Sequence, residues 1–255
     1  MIGNPIAAIL LDWGGTLAHV ATQNEAWMRG AQAVCDVVAH RGLAHPEAAS
    51  RLLAIVQDAE HRAQSDPTHV EVNAYDLFER WTAACGWPCP DAAVREAAIQ
   101  AFGDQWVGCL DVFPWTVETL TALRARGYRL GLASNCWTPW PFVQAELDRQ
   151  GLTGLLDGIT VSCVVGYRKP SPIFYEAAIR NVAANGALPP ERVLFVGDTL
   201  IPDIAGPAAA GMKTALVQGQ GTASISETSA TASPDLKIAT VADLLAHLPG
   251  VGAQR

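Results

Sequence analysis

Lysine is scarce in this chain: Lys169, Lys213 and Lys237 stand against fourteen arginines in 255 residues. The basic residues are scattered and the net charge is −8, so no basic stripe marks a nucleic-acid surface. Long hydrophobic runs are absent too, which excludes a membrane-spanning helix. The N-terminus lacks the basic stretch and long apolar core of a secretory signal, and a cytoplasmic location is expected. The six cysteines, Cys35, Cys85, Cys89, Cys109, Cys136 and Cys163, read as cytosolic thiols rather than a disulfide framework. Cys85 and Cys89 are one residue too far apart for a thioredoxin motif or a zinc ribbon.

What is present suits a globular enzyme. Half of the residues are hydrophobic, enough at this length to bury a sizeable core. Residues 6–11 form a continuous apolar run, the pattern of a strand buried on both faces of a parallel sheet. From about 20 to 110 no such run recurs. Instead, stretches 26–39, 47–64, 72–84 and 91–105 carry apolar residues three and four apart, which predicts helices. Strand and helix signals then alternate: helix 115–126, strand 129–133, helix 139–150, strand 158–162, helix 171–183, strand 193–197, helix 203–210 and strand 213–217. The Ser/Thr/Ala-rich tract 222–233 reads as a loop, and 235–248 as a short strand with a closing helix. Such alternation predicts an α/β fold with a doubly wound parallel sheet.

Four segments carry chemistry. The first is Leu11-Asp12-Trp13-Gly14-Gly15-Thr16, directly after the first strand. The second is Ala133-Ser134-Asn135 at the end of another apolar run, the third Arg168-Lys169-Pro170, and the fourth Gly197-Asp198-Thr199-Leu200-Ile201-Pro202-Asp203. Ligands of open α/β sheets bind beyond the carboxyl ends of the strands, so Asp12, Ser134 and Asp198 are expected to meet at one edge.

In order, spacing and strand context these segments resemble the haloacid dehalogenase (HAD) superfamily. The resemblance spans nearly the whole chain and implies a Rossmann-like core at 1–18 and 113–255, with an inserted α-helical cap at 19–112. It implies Asp12 as nucleophile, Ser134 and Lys169 as further catalytic groups, and Thr16, Ser134, Asn135 and Lys169 as substrate-binding residues. It further implies Mg2+ held by Asp12, the Gly14 carbonyl, Asp198 and Asp203, the last through water or by holding Lys169 instead. Mg2+ suits such an all-oxygen set, and a hard cation offsets the repulsion between a carboxylate and a phosphate dianion. The expected activity is hydrolysis of a small phosphorylated metabolite through an aspartyl-phosphate. No nucleic-acid or membrane partner is expected, and a homodimer stays open.

Gly14 departs from the family's usual pattern, in which an Asp at that position protonates the leaving group. Such general acid help is worth roughly 10^2 to 10^4 in rate. His19 is the nearest substitute, histidine being suited to proton transfer near neutral pH; an exposed histidine with no such role is the plainer reading. Three rivals follow. A 2-haloacid dehalogenase also lacks the second Asp and has a Ser-Asn pair, but Asp198 and Asp203 argue against it. A phosphonoacetaldehyde hydrolase needs a cap lysine, and residues 19–112 contain none. A non-catalytic relative binding a phosphorylated ligand or a protein fits Gly14 but leaves the retained charges unexplained.

Overall fold

The computed structural model describes residues 6–20, 23–183, 186–218 and 233–251. Apart from Ser233, the tract 222–233 lies outside the described residues. β1 (Ala8–Leu11) and β2 (Ala18–Val20) precede α1 (Gln23–Ala39), α2 (Ala48–Ser65), α3 (Ala74–Ala84), α4 (Ala92–Trp106) and β3 (Leu110–Val112). There follow α5 (Thr116–Ala125), β4 (Arg129–Ser134), α6 (Trp140–Arg149), β5 (Gly158–Val161), α7 (Ser162–Val165) and α8 (Pro172–Ala183). β6 (Val193–Gly197), a π-helical turn at Leu200–Ala205, α9 (Gly206–Ala209), β7 (Lys213–Val217), β8 (Leu236–Ile238) and α10 (Leu244–His247) complete the order.

The chain divides into two compact units. One comprises Met1–His19, Asp111–Cys136 and Leu147–Arg255; the other Val20–Leu110 and Trp137–Glu146.

The first unit carries a six-stranded sheet in the order β5-β4-β1-β6-β7-β8, every neighbouring pair parallel. From β1 the chain builds outward to β4 and β5, then crosses back to add β6, β7 and β8 on the other side. That reversal beside β1 opens a crevice at the carboxyl ends of β4, β1 and β6. β1 and β6 are buried throughout, as their unbroken apolar runs require. On one face Leu10, Val193 and Phe195 pack with Phe174, Tyr175, Ala178 and Val182 of α8. Pro172 opens α8 at a position where a missing N–H costs nothing.

The second unit is a helical bundle in which α1 packs on α4 and α2, and α2 on α3. Trp81, 0% exposed, sits at its centre; its indole N–H donates to the Ala48 carbonyl at 2.8 Å, and its ring meets those of Phe78 and Trp87. α1 and α4 approach closely because Gly30 faces the Phe102 ring, where a Cβ would lie only 2.8 Å from a ring carbon. Asn73 and Asp91 cap α3 and α4 by accepting from the backbone N–H of Tyr75 (2.8 Å) and Val94 (2.9 Å).

Three local features differ from the sequence expectation. β2 and β3 form a two-stranded ribbon where only helical spacing is legible, because three residues each are too few to show an alternation. The helix expected at 203–210 begins earlier, as a π turn. The strand expected at 158–162 stops at Val161, where the short helix α7 begins.

Candidate active site

Sheet register sets the site's level. Leu11 is paired with Leu132 on one side and Val196 on the other, so Asp12, Ser134 and Asp198 all emerge at the same edge. The Asp12 N–H still donates to the Val196 carbonyl at 2.9 Å. Beyond it the chain winds around the Trp13 carbonyl, which accepts from Thr16 (3.3 Å), Leu17 (2.8 Å) and Ala18 (3.0 Å), while Gly15 N–H donates to the Ala18 carbonyl at 2.7 Å. Trp13 is a core residue, and its indole N–H donates to Gln150 Oε1 at 3.0 Å, fixing the turn from below. Gly15 holds φ +78°, and a Cβ there would collide with the Asp198 carboxylate, so both backbone and space demand glycine.

Lys169 ties the site together. Its buried Nζ donates to Asp12 Oδ1 and to Asp203 Oδ1, each at 2.7 Å, and lies 5.3 Å from the centre of the Phe195 ring. Its backbone is held on both sides by Asn135: Lys169 N–H donates to Asn135 Oδ1 at 2.7 Å, and Asn135 Nδ2 donates to the Lys169 carbonyl at 3.1 Å. Asp203 Oδ2 accepts from Thr199 N–H at 3.0 Å, and Thr199 Oγ1 donates to Asp198 Oδ1 at 3.2 Å. Carboxylate oxygens of Asp12, Asp198 and Asp203 lie within 4.8 Å of one another. The buried Thr16 hydroxyl has no hydrogen-bond partner among the described residues. His19 is exposed and stacks on Phe113 with ring centres 5.7 Å apart.

A family model for haloacid dehalogenase-like hydrolases matches residues 6–211. The chain belongs to that family. This HAD-like hydrolase is 29% identical over 220 residues to a glyceraldehyde 3-phosphate phosphatase of Methanopyrus kandleri, covering 84% of each chain. It is 37% identical over 110 residues to the glyceraldehyde 3-phosphate phosphatase of Methanothermobacter thermautotrophicus, a match that covers 42% of this chain and spans about half (45%) of that relative's length. A 2-haloacid dehalogenase from Pseudomonas syringae superposes with a TM-score of 0.63 at 22% identity, covering 94% of this chain and 97% of its own; at that identity the likeness is one of fold.

The electrostatics of the HAD-like hydrolase's site follow from its charge count. Three carboxylates share one ammonium in a buried setting, and ionising all of them leaves two negative charges in excess. Burial, with the Asp12 charge beside it, pushes the Asp198 carboxyl up to about 6. Burial also raises Asp203 to about 7; Lys169 pulls against that rise and Asp12 adds to it. Burial works against the charge of Lys169, but Asp12 and Asp203 outweigh it and hold the ammonium above its ordinary range. The residues present fit a divalent cation of the hard, oxygen-seeking kind.

Thr199, Tyr175 and Gln150 support this arrangement without a signal in the sequence. Tyr175 Oη donates to the Pro202 carbonyl at 2.6 Å and would meet any side chain added at Gly206, which pins the π turn that carries Asp203. The contacts of Tyr175 and Gln150 join residues remote in sequence, and each of the three residues alone reads as ordinary core or loop.

Proposed function

We propose that this hydrolase is a Mg2+-dependent phosphomonoesterase of a small phosphorylated metabolite, acting through an aspartyl-phosphate on Asp12. One observation carries the reading: three carboxylates grouped around a single buried lysine, two positive charges short of balance, which is the deficit one divalent cation fills. Asp12 and Asp198 would hold the ion with the Gly14 carbonyl, which lies outside the turn's own hydrogen bonds to the carbonyls of Trp13 and Ala18. Asp203 has each oxygen engaged by a protein donor, so we read it as holding Lys169 and the 199–203 turn, reaching the ion through water at most. When bound, Mg2+ supplies charge neutralisation between the nucleophile and the phosphoryl oxygens.

The chain's own residues do the rest. Asp12 presents a carboxylate oxygen to phosphorus, the bond to the leaving-group oxygen breaks as the acyl phosphate forms, and water then attacks phosphorus to release phosphate and restore the Asp12 carboxylate. Lys169, fixed at its backbone by Asn135 and at its ammonium by Asp12 and Asp203, keeps a positive charge beside the attacking oxygen. Ser134 and the unspent Thr16 hydroxyl are the donors assigned to phosphoryl oxygens. Asn135 acts as a positioning residue for Lys169. We assign the cap's role of substrate selection to the helical segment 19–112; His19, exposed and stacked on Phe113, is given no catalytic part. The two relatives named glyceraldehyde 3-phosphate phosphatase support a small phosphorylated substrate.

The test is phosphate release from a panel of phosphorylated metabolites and an aryl phosphate, with Mg2+ or with chelator, beside halide release from 2-haloacids. Asp12→Asn should lower phosphate release by at least about 10^3-fold while leaving the melting temperature near that of the parent. Metal-independent halide release would replace this reading with a dehalogenase.

A further inference from the structure

Two of the six cysteines lie beside the site. The β4–β5 register pairs Ser134 with Val161, and continued by two residues it sets Cys136 opposite Cys163. The backbone keeps them there although β5 has ended. Cys163 N–H donates to the Cys136 carbonyl at 3.1 Å; the Ser162 hydroxyl accepts from Cys136 N–H at 2.7 Å and donates back to the Cys136 carbonyl at 3.3 Å. Opposed residues on neighbouring strands have Cα atoms about 5 Å apart. The hydrogen bond by itself keeps this pair below about 7 Å. Natural disulfides span about 4.4–6.8 Å between Cα atoms.

Juxtaposition rather than accessibility sets this pair apart from the rest. Cys136, Cys163 and Cys35 are half-buried and Cys89 is exposed, whereas Cys85 and Cys109 are buried. Burial, with Cys85 and Asp36 nearby, pushes the Cys35 thiol up to about 11, and burial also holds Cys85 above the ordinary thiol range, so both resist forming the reactive thiolate.

We propose that Cys136 and Cys163 form a redox-reactive dithiol, a modification site that a hydroperoxide converts to an intramolecular disulfide. One thiolate attacks the peroxide O–O bond, giving a sulfenic acid and releasing water or an alcohol. The second thiolate then attacks the sulfenic sulfur and displaces hydroxide, which leaves as water. Two thiols and one hydroperoxide thus yield one disulfide, one hydroxyl product and one water.

The bond would reach the active site through the main chain. Cys136 follows Asn135, the residue that clamps the Lys169 backbone, and Cys163 opens the segment that leads to Lys169. Drawing two sulfurs to bonding distance moves the Cys136 peptide, and with it the Asn135 clamp and Ser134. Disulfide formation therefore lowers turnover, and a dithiol reductant restores it.

The experiment treats the whole protein with hydrogen peroxide, alkylates the remaining thiols and maps peptides without reduction by mass spectrometry. The expected result is a linked pair of peptides joining Cys136 to Cys163, reversed by reductant and missing from Cys136→Ser and Cys163→Ser. Continued alkylation of both thiols after peroxide, or a bridge from either to another cysteine, would overturn the proposal. Phosphate release measured on the same samples should fall several-fold in the parent and hold in Cys163→Ser; equal loss in that variant would refute the coupling. A protein that releases no phosphate before oxidation sinks the phosphatase reading, while the peptide map still decides the dithiol.

Discussion

At position 14 the chain holds a glycine where the family's usual phosphatases hold an acid. Gly15, not Gly14, occupies the left-handed conformation and faces Asp198. Gly14→Asp should therefore fold and supply the missing proton donor. Turnover should rise on alkyl phosphates, whose leaving groups need protonation, by up to about 10^2-fold, and little on an aryl phosphate. Steady-state rates on the two substrate classes check this; an equal change on both would show that protonation of the leaving group does not limit the enzyme. Aspartate at 14, rather than at a neighbour, is the informative change because Trp13 is committed to the core through Gln150 and Gly15 tolerates no Cβ.

At the scale of elements, the site depends on how tightly the end of β6 meets the π turn. Gly197 closes β6, and a Cβ placed on it would overlap the Asp203 side chain and lie 2.6 Å from Asp203 Oδ2. Asp203 has no slack to absorb that, being held by Lys169 and by Thr199 N–H. Gly197→Ala should cost about 1–3 kcal/mol of stability, as overpacking does, and should displace Asp203 from Lys169. Urea unfolding measures the first effect. The second is read as a loss of turnover larger than the stability change explains at saturating folded protein. The same turn shows what spacing cannot reveal. A helix over 203–210 is legible from composition, but the π register at 200–205 arises because Tyr175, on α8, captures the Pro202 carbonyl. The short β2 and β3 strands are likewise set by pairing with each other and not by their own residues.

At the scale of the whole molecule, the unbalanced acidic cluster makes stability depend on pH. The folded-state carboxyls of Asp198 and Asp203 lie above the ordinary carboxylate value of 3.8, at about 6 and about 7. Between those limits the folded state binds more protons than the unfolded state, so unfolding free energy falls as pH rises from about 4 to about 7. A divalent cation supplies the missing charge, and it competes with protons for the same oxygens. Mg2+ should therefore raise the melting temperature more at pH 8 than at pH 5, with chelator removing the difference. Thermal scans at the two pH values check it; equal shifts at both would place the ion elsewhere.

The apolar runs at 6–11, 129–133 and 193–197 determined by themselves that these segments become buried parallel strands, because a run without polar alternation has no face to offer water. Motif order then placed Asp12, Ser134, Lys169 and Asp198 in the sequence as a candidate set, and the scarcity of lysine singled out Lys169. Tertiary structure alone decided what each does to the next. It spent the Asn135 amide on the backbone of Lys169, gave both Asp203 oxygens protein donors, wrapped the first turn around the Trp13 carbonyl and brought Cys136 alongside Cys163. The physical reason is that strand burial is a property of contiguous residues, whereas hydrogen-bond partnership and charge balance are settled only where segments distant in the chain meet.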